Sequence, residues 1–471
     1  MKLAEKKVVV VGLGKTGMAT ARFLKKRGAV VVVSDAATES KLGAAVQILR
    51  EMGVGLELGQ HRLSTFMDAQ LIVISPGVSH TIAPVQQACT HGIPVLGEIE
   101  LASRFITQPI VAVTGTNGKT TTTELVGRML RGSQMDVFVG GNIGNPLIGY
   151  VDEPQTAEVI VAELSSFQLD TICTFRPAVG VLLNITADHL DRYPNFEAYA
   201  ASKMRLFENQ QPEDIAILNS SDRRVDSLAQ NIRSQKWIYP NAAVDQQGAA
   251  LNDQHIFLHA GQPVLRQDTI GGRRSANTAN WSLDITRIKL RGRHNLENAC
   301  AASLAALAAG AQLQAVREAL EHFGGLPHRL EYIATVEGVE YFNDSKATNV
   351  DAVIQALACF AGPVVLIMGG LDKGSDFAAL KNVTRQSVKE LIVMGNAAGR
   401  IRSALGSQTQ TTAAASMAEA LDNAYRAAAP GDVVLLSPGC ASFDMYANYA
   451  RRGEDFCRQV AKLQETAGGK K

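Results

Sequence analysis

Eight consecutive residues, Thr114-Gly115-Thr116-Asn117-Gly118-Lys119-Thr120-Thr121, have the types and spacing needed to grip a polyphosphate. The glycines let backbone N–H groups converge on an anion, and a helix starting beyond them adds the partial positive charge of its N-terminus. Lys119 can reach terminal phosphates, and the Thr120 hydroxyl can ligate Mg²⁺. The apolar run Ile110-Val111-Ala112-Val113 precedes the loop and a helix-forming segment, 122–130, follows it. That is the strand–loop–helix setting of a phosphate-binding loop, and ATP is its expected ligand. The spacing departs from the common pattern once: Val113 stands where a glycine is usual, five residues before Gly118.

Other residues suit the same chemistry. Glu163 ends the apolar run 157–162, and a carboxylate at a strand end near a phosphate loop is where a Mg²⁺ ligand is expected. Asp188 and His189 follow another run, 179–183; beside Glu163 and Thr120 they are candidates for holding metal and positioning substrate. Tyr199 and Lys203 stand one turn apart on a helix expected over 196–207. By composition alone Lys203 is an exposed helix lysine.

Near the N-terminus, Gly12-Leu13-Gly14-Lys15-Thr16-Gly17 joins the run 8–11 to a helical segment, 18–27, and a second run, 30–33, ends at Ser34-Asp35. This is the pattern of a dinucleotide-binding βαβ unit, with Asp35 placed to meet a ribose hydroxyl. A hydride-transfer enzyme has no evident use for a second, ATP-type loop, whereas a ligase acting on a nucleotide sugar needs both. A UDP moiety carries the diphosphate, ribose and planar base that such a loop binds. Gly77, in the turn after the run 71–74, offers a second backbone contact to the diphosphate.

These residues need sheets whose strand ends they can occupy. The 471 residues suggest about three domains at roughly 150 residues each, and 46% hydrophobic residues with 41 glycines fit an α/β protein. A net charge of +1 gives no electrostatic case for a nucleic-acid or membrane partner. The six cysteines, at 89, 173, 300, 359, 440 and 457, lack metal-type spacing, so reduced thiols in a cytoplasm are expected. The segment 1–7 fits no signal peptide, and no apolar stretch is long enough to span a bilayer. From Gly325 onward, apolar runs at 339–342, 363–368, 391–394 and 433–436 alternate with helical segments. They imply another doubly wound sheet with its binding face on the carboxyl edge, where Asp344, Lys346, Lys373 and Ser442 lie. The segment 369–374 looks like a second phosphate loop but lacks the Gly-Lys-Thr core. The polar, weakly patterned segment 242–277 reads as a peripheral hairpin region.

The loop 114–121 resembles that of the Mur ligases and their folylpolyglutamate synthetase relatives. Six further blocks carry the resemblance along the chain: Glu163-Leu164-Ser165-Ser166-Phe167-Gln168-Leu169, the segment 184–193 with its Asp-His-Leu-Asp-Arg-Tyr core, 292–298, 325–331, 343–349 and 437–444. Together they resemble the D-glutamate-adding branch of the Mur ligase family. The resemblance implies three α/β domains: a Rossmann-like UDP-substrate domain (1–107), a central P-loop ATPase-type domain (108–325) and a Rossmann-like amino-acid domain (326–471). It implies a monomer that uses ATP and Mg²⁺ at two sites to join D-glutamate to UDP-N-acetylmuramoyl-L-alanine through an acyl phosphate.

What the resemblance implies for single residues is more detailed than the spacing alone. Lys203 would be carbamylated and, with Thr120, Glu163 and His189, surround the metals; Lys119, His189 and Lys203 would be catalytic. ATP would meet Gly115, Thr116, Asn117, Gly118, Lys119, Thr120, Thr121, Asn295, Arg329, Asp344 and Lys346. The UDP substrate would meet Gly14, Lys15, Thr16, Asp35, Gly77, Asn142 and His189, and D-glutamate would meet Thr348, Lys373, Ser442 and Phe443. The third domain would have to close on the second before chemistry. A Mur-type ligase of another amino-acid specificity, an ATPase switch that makes no bond, and a nicotinamide oxidoreductase remain as competing readings.

Overall fold

The computed structural model describes residues 1–188, 192–243, 246–263 and 279–468. Their strands form three sheets. The first contains β1 (Lys7–Val11), β2 (Val30–Asp35), β3 (Gly55–Leu58), β4 (Leu71–Ile74) and β5 (Val95–Gly97) in the order β3-β2-β1-β4-β5, all parallel. Reversal of the strand order between β1 and β4 opens a crevice at their carboxyl ends, so the loops 12–17 and 75–77 face each other across it. Gly12, at φ +91°, has Val78 and Ser75 so near that a side chain would collide, and Ser75 Oγ donates to the Gly12 carbonyl at 3.0 Å.

The second sheet contains β6 (Ile110–Thr114), β7 (Val137–Gly141), β8 (Val159–Glu163), β9 (Val179–Leu182), β10 (Ile215–Asn219), β11 (Gln235–Tyr239), β12 (Gly248–Leu251), β13 (His255–Ala260) and β14 (Ala279–Asp284). Their order is β14-β13-β12-β11-β10-β9-β6-β8-β7, so β6 emerges between β8 and β9. Glu163 pairs in register with Val113, and Leu182 with Thr114, which brings three strand ends together at the phosphate loop. The expected hairpin region does contain an antiparallel pair, β12 with β13, which extends this sheet; residues 264–278 lie outside the described residues.

The third sheet contains β15 (Glu331–Val336), β16 (Val339–Asn343), β17 (Val364–Gly369), β18 (Val388–Met394), β19 (Gln410–Ala413) and β20 (Val433–Leu436), ordered β15-β16-β20-β17-β18-β19 and parallel except for β15. Strand β17 is buried on both faces. Its even-numbered residues, such as Leu366 and Met368, pack with Phe377 and Ile401, while Val365 and Ile367 pack with Met417 and Phe456. That two-residue alternation turns a continuous apolar run into two cores. The first two sheets fall in one compact unit and the third in another.

The segment leaving the first sheet is welded to the second. Helix Glu98–Ser103 carries two buried carboxyls. Glu100 accepts the N–H groups of Cys173, Thr174 and Phe175 at 2.9–3.0 Å, the Thr174 hydroxyl at 2.7 Å and Arg104 Nε at 2.9 Å. Burial alone would raise its pKa, but the Cys173, Thr174 and Phe175 donors outweigh that and hold it below the ordinary carboxylate value. Glu98 has far less support: Oε1 accepts Ile148 N–H at 2.6 Å and Oε2 has no partner. Burial pushes its pKa up to about 7.

Unfolded, Glu98 ionises near its ordinary 4.5, so between that pH and about 7 the folded state holds more protons and stability falls as pH rises. Above about 7 the whole penalty is in force, on the order of 3 kcal/mol at ~1.4 kcal/mol per pH unit. Glu98→Gln keeps the acceptor without the charge. Thermal melts from pH 4.5 to 8.5 should therefore show it a few degrees more stable than the parent at pH 8 and level with it near pH 5. A variant no more stable at pH 8 would mean that the buried carboxyl is ionised and satisfied.

Candidate active site

The phosphate loop folds as its glycines dictate. Gly115 sits at φ +152°, where a side chain would press on Leu183, and Gly118 sits at φ +85° with the Asn298 side chain against it. Gly118 caps the helix Lys119–Gly132, which begins three residues earlier than its composition suggested, so Lys119 and Thr120 are in the first turn. Asn184, at the end of β9, braces the loop from three directions. Its carbonyl accepts Thr116 N–H at 2.9 Å, its Oδ1 accepts Asn117 N–H at 2.8 Å, and its Nδ2 donates to the Asn117 carbonyl at 3.1 Å.

Two ammonium groups converge on one carbonyl. Lys119 Nζ donates to the Gly115 carbonyl at 2.9 Å and to that of Thr116 at 2.8 Å; Lys203 Nζ donates to the same Gly115 carbonyl at 2.8 Å. Lys203 is only 2% exposed and lies over the Tyr199 ring at 4.6 Å, whose hydroxyl is 3.1 Å from Thr116 Oγ1. The composition-based reading of Lys203 as an exposed helix lysine is therefore wrong. Helix Phe196–Met204 turns Tyr199, Ala200, Ser202 and Lys203 inward. With small residues on both faces, its sequence does not declare which side is buried.

Glu163, also 2% exposed, accepts the Asn142 Nδ2–H at 2.7 Å through Oε1, while Oε2 is buried with no partner. Asn142 N–H bonds the Glu163 carbonyl at 2.8 Å, so the two residues fix each other. An orphaned carboxylate oxygen in register with the phosphate loop, with the Thr120 hydroxyl in the adjacent helix turn, is a hard-oxygen donor set that fits Mg²⁺. Among the described residues no three His, Cys, Asp or Glu side chains form a complete metal cluster; His189 lies outside the described residues. Asp188 accepts the Asn349 Nδ2–H at 3.2 Å.

In the first sheet, Gly14 ends the glycine loop in extended backbone with open space around its Cα, and Lys15 and Thr16 begin the helix Lys15–Lys26. Lys15 Nζ donates to the Gly144 carbonyl at 2.6 Å and to Asn145 Oδ1 at 3.2 Å, beside Asn142. Asp35 accepts Leu13 N–H at 2.6 Å and Ala37 N–H at 2.7 Å, so it holds the glycine loop to the end of β2. Gly77 is exposed at the opposite rim.

In the third sheet, Arg329, Asp344 and Lys346 cluster at the end of β16. Burial pushes the Asp344 carboxyl up to about 7, against the pull of Leu330 N–H, the Ser437 hydroxyl and the Arg329 charge. Lys346 Nζ lies 3.8 Å from the centre of the Tyr449 ring. Lys373 follows β17, Ser442 is buried after β20, and Phe443 beside it is 66% exposed. Thr348 lies between Lys346 and the helix Val350–Leu357. Asn295 sits one turn before Asn298 on the helix Arg293–Ala308. Sequence reasoning missed Asn184 and Asn298 as loop supports; their only signal was membership of the blocks 184–193 and 292–298.

Residues 6–97 match the "Mur ligase MurD-like, N-terminal domain", 113–306 the "Mur ligase middle domain" and 328–440 the "Mur ligase, glutamate ligase domain". The chain is 50% identical over 460 residues to the UDP-N-acetylmuramoylalanine–D-glutamate ligase of Desulfosudis oleivorans, covering 98% of this chain and 97% of that protein. It is also 50% identical over 463 residues to the protein of the same name from Desulfatibacillum aliphaticivorans, covering 98% and 100%. Among solved structures, the fold is similar to a pseudomurein peptide ligase type C from Methanothermus fervidus (TM-score 0.60, 20% identity, 97% and 100% covered). It is similar too to the MurF ligase from Thermotoga maritima in complex with ADP (TM-score 0.60, 15% identity, 98% and 96% covered). The chain belongs to the Mur ligase family.

Proposed function

We propose that this chain is an ATP-dependent ligase that adds D-glutamate to UDP-N-acetylmuramoyl-L-alanine in peptidoglycan precursor synthesis. The observation that carries the reading is the phosphate loop with Lys119 and Lys203 on one carbonyl and the orphaned Glu163 oxygen in register with it. The half-identical, full-length relatives named for this reaction support the choice of substrates. We read the chain as a monomer of the cytoplasm, where its nucleotide substrates are made, with domains 1–107, 108–325 and 326–471.

A free carboxylate does not condense with an amine in water at a useful rate. Phosphoryl transfer from ATP to the substrate carboxylate gives an acyl phosphate and ADP. The D-glutamate amine then adds to that carbonyl, loses a proton, and inorganic phosphate leaves from the tetrahedral intermediate. Backbone N–H groups of 115–121 cradle the polyphosphate, and Lys119 offsets charge on the transferring group. When bound, Mg²⁺ offsets the remaining phosphate charge, held by Thr120, Glu163, His189 and carbamylated Lys203. Asn295, Arg329, Asp344 and Lys346 complete the ATP site. Gly14, Lys15, Thr16, Asp35, Gly77, Asn142 and His189 hold the UDP substrate; Thr348, Lys373, Ser442 and Phe443 hold D-glutamate.

Carbamylation forms an N–C bond between neutral Lys203 Nζ and CO₂, and one proton goes to water. The product keeps one N–H on Nζ for the Gly115 carbonyl and adds a carboxylate, so a buried cation becomes an anion on the same pivot.

Phosphate release from ATP should require UDP-N-acetylmuramoyl-L-alanine and be at least about tenfold faster with D-glutamate than with L-glutamate, L-alanine or a diamino acid. Release driven by another amino acid would move the specificity, and release needing neither substrate would leave only an ATPase. Lys119→Ala should lower kcat by roughly 10²–10³-fold, the usual cost of losing one transition-state charge partner. Calorimetry should find its affinity for the UDP substrate within about twofold of the parent; a matching loss of that affinity would argue against separate sites. Protein equilibrated with ¹³C-bicarbonate should give one protected carbamate carbonyl signal by NMR that Lys203→Arg abolishes. A spectrum unchanged by that substitution would place the modification elsewhere.

A further inference from the structure

Arg452 is the least exposed arginine of the third sheet's unit, at 2%, and none of the functions above uses it. It lies in the first turn of helix Tyr449–Gly468, and its guanidinium spends every N–H on neutral oxygens. Nε donates to Ser345 Oγ at 3.0 Å, and Nη2 donates to the carbonyls of Ser345 at 2.8 Å and Cys440 at 3.1 Å. Nη1 donates to the carbonyls of Gly369 at 3.3 Å and Ala441 at 3.4 Å.

These acceptors belong to three loops that are far apart in sequence and adjacent at the carboxyl edge. Ser345 lies between Asp344 and Lys346 after β16. Gly369 ends β17, four residues before Lys373, and Cys440 and Ala441 immediately precede Ser442 and Phe443 after β20. The last two loops also bond each other: Leu371 and Ala441 exchange N–H···O=C bonds at 2.8 and 3.0 Å. Gly370, at φ +134°, has Arg452 Nη1 3.0 Å from where a Cβ would stand, so the loop's backbone is shaped around the fork. A planar group with five fixed donors sets the distances among its acceptors; a lysine in its place offers three donors from one point. Burying such a cation without a hydrogen-bonded carboxylate costs free energy, which a merely space-filling residue would avoid.

We propose that Arg452 is a positioning residue that sets the spacing of the 344–346, 369–373 and 440–443 loops, and so acts on the binding of ATP and D-glutamate together. The inference rests on the function proposed above for where those ligands sit. Arg452→Lys should raise the KM values for ATP and D-glutamate together, each by about tenfold or more, and change kcat by less than about threefold. Its affinity for the UDP substrate, whose proposed contacts Gly14, Lys15, Thr16, Asp35, Gly77 and Asn142 belong to the other unit, should stay within about twofold. Arg452→Ala should behave more severely and be partly rescued by millimolar guanidinium chloride, with the D-glutamate KM falling at least about threefold. Ser345→Ala, which removes one acceptor of five, is the mild variant should both of those misfold, and its two KM values should rise together by about threefold.

Folded variants with parental KM values, or a loss of kcat alone, would overturn the proposal. So would a rise in the KM of only one of the two ligands. A parent chain that releases no phosphate with D-glutamate would refute the reaction instead. The Arg452 inference would then be read by ADP calorimetry, where Arg452→Lys should bind at least about tenfold more weakly and equal affinity would refute it.

Discussion

A single carbonyl oxygen, that of Gly115, accepts from two ammonium groups, and much of the catalytic centre is arranged around that fact. The peptide group of a phosphate loop has to turn its N–H groups toward the ligand, which leaves its carbonyls pointing back into protein. There they need donors, because an unmatched buried carbonyl is expensive. Lys119 and Lys203 supply them from two different helices, Lys119 serving the Thr116 carbonyl as well, and Asn184 supplies the Asn117 carbonyl in the same way. The loop is thereby shaped before a nucleotide arrives, and little ordering remains to be done at binding. Glycine at 115 and 118 is the backbone half of the same arrangement.

Much of the architecture was legible in the sequence because it is written in contiguous residues. The runs before 114, 12 and 370 are continuous apolar stretches rich in β-branched residues, and each ends in glycines whose conformations other residues rarely adopt. The candidate site was legible to the same depth: the phosphate loop and Glu163 follow from local pattern and strand ends. Lys203 was legible only through the family resemblance, because burial depends on what covers a helix, and the alanines and serine before it do not mark a buried face. Arg452 and Glu98 were illegible for a different reason. Their partners are mostly backbone groups, the Ser345 carbonyl lying 107 residues from Arg452 and the Ile148 N–H 50 from Glu98, and a carbonyl or an N–H leaves no mark on the identity of the residue that owns it. Short polar edge strands such as β19 likewise carry no apolar signature.

The two buried carboxyls at the start of helix Glu98–Ser103 and the buried guanidinium of Arg452 solve one problem with opposite signs. Arg452 gathers carbonyls from three loops, Glu100 the consecutive N–H groups of 173–175 and Glu98 a single N–H, so backbone dipoles supply most of the partners, with Arg104 added beside Glu100. Glu100 succeeds well enough to remain ionised when buried, because three N–H groups and a hydroxyl aim at it. Glu98, with one donor, does not, and its proton is held up to about pH 7. The number of convergent dipoles separates a stable buried charge from a neutralised one.

The weld between residues 97–100 and the backbone at 148 and 171–175 bears on what size of molecule the chain can use. The glycine loop of the first sheet reaches across to Gly144 and Asn145 through Lys15, while Asn142, beside them, is locked to Glu163 at the phosphate loop. The span from one crevice to the other is therefore bridged by hydrogen bonds within one compact unit. Such a span works as a ruler. On the function proposed above, a nucleotide-linked acid whose anchored end and reactive end match that span would occupy both crevices at once, and a shorter or longer one would engage a single crevice.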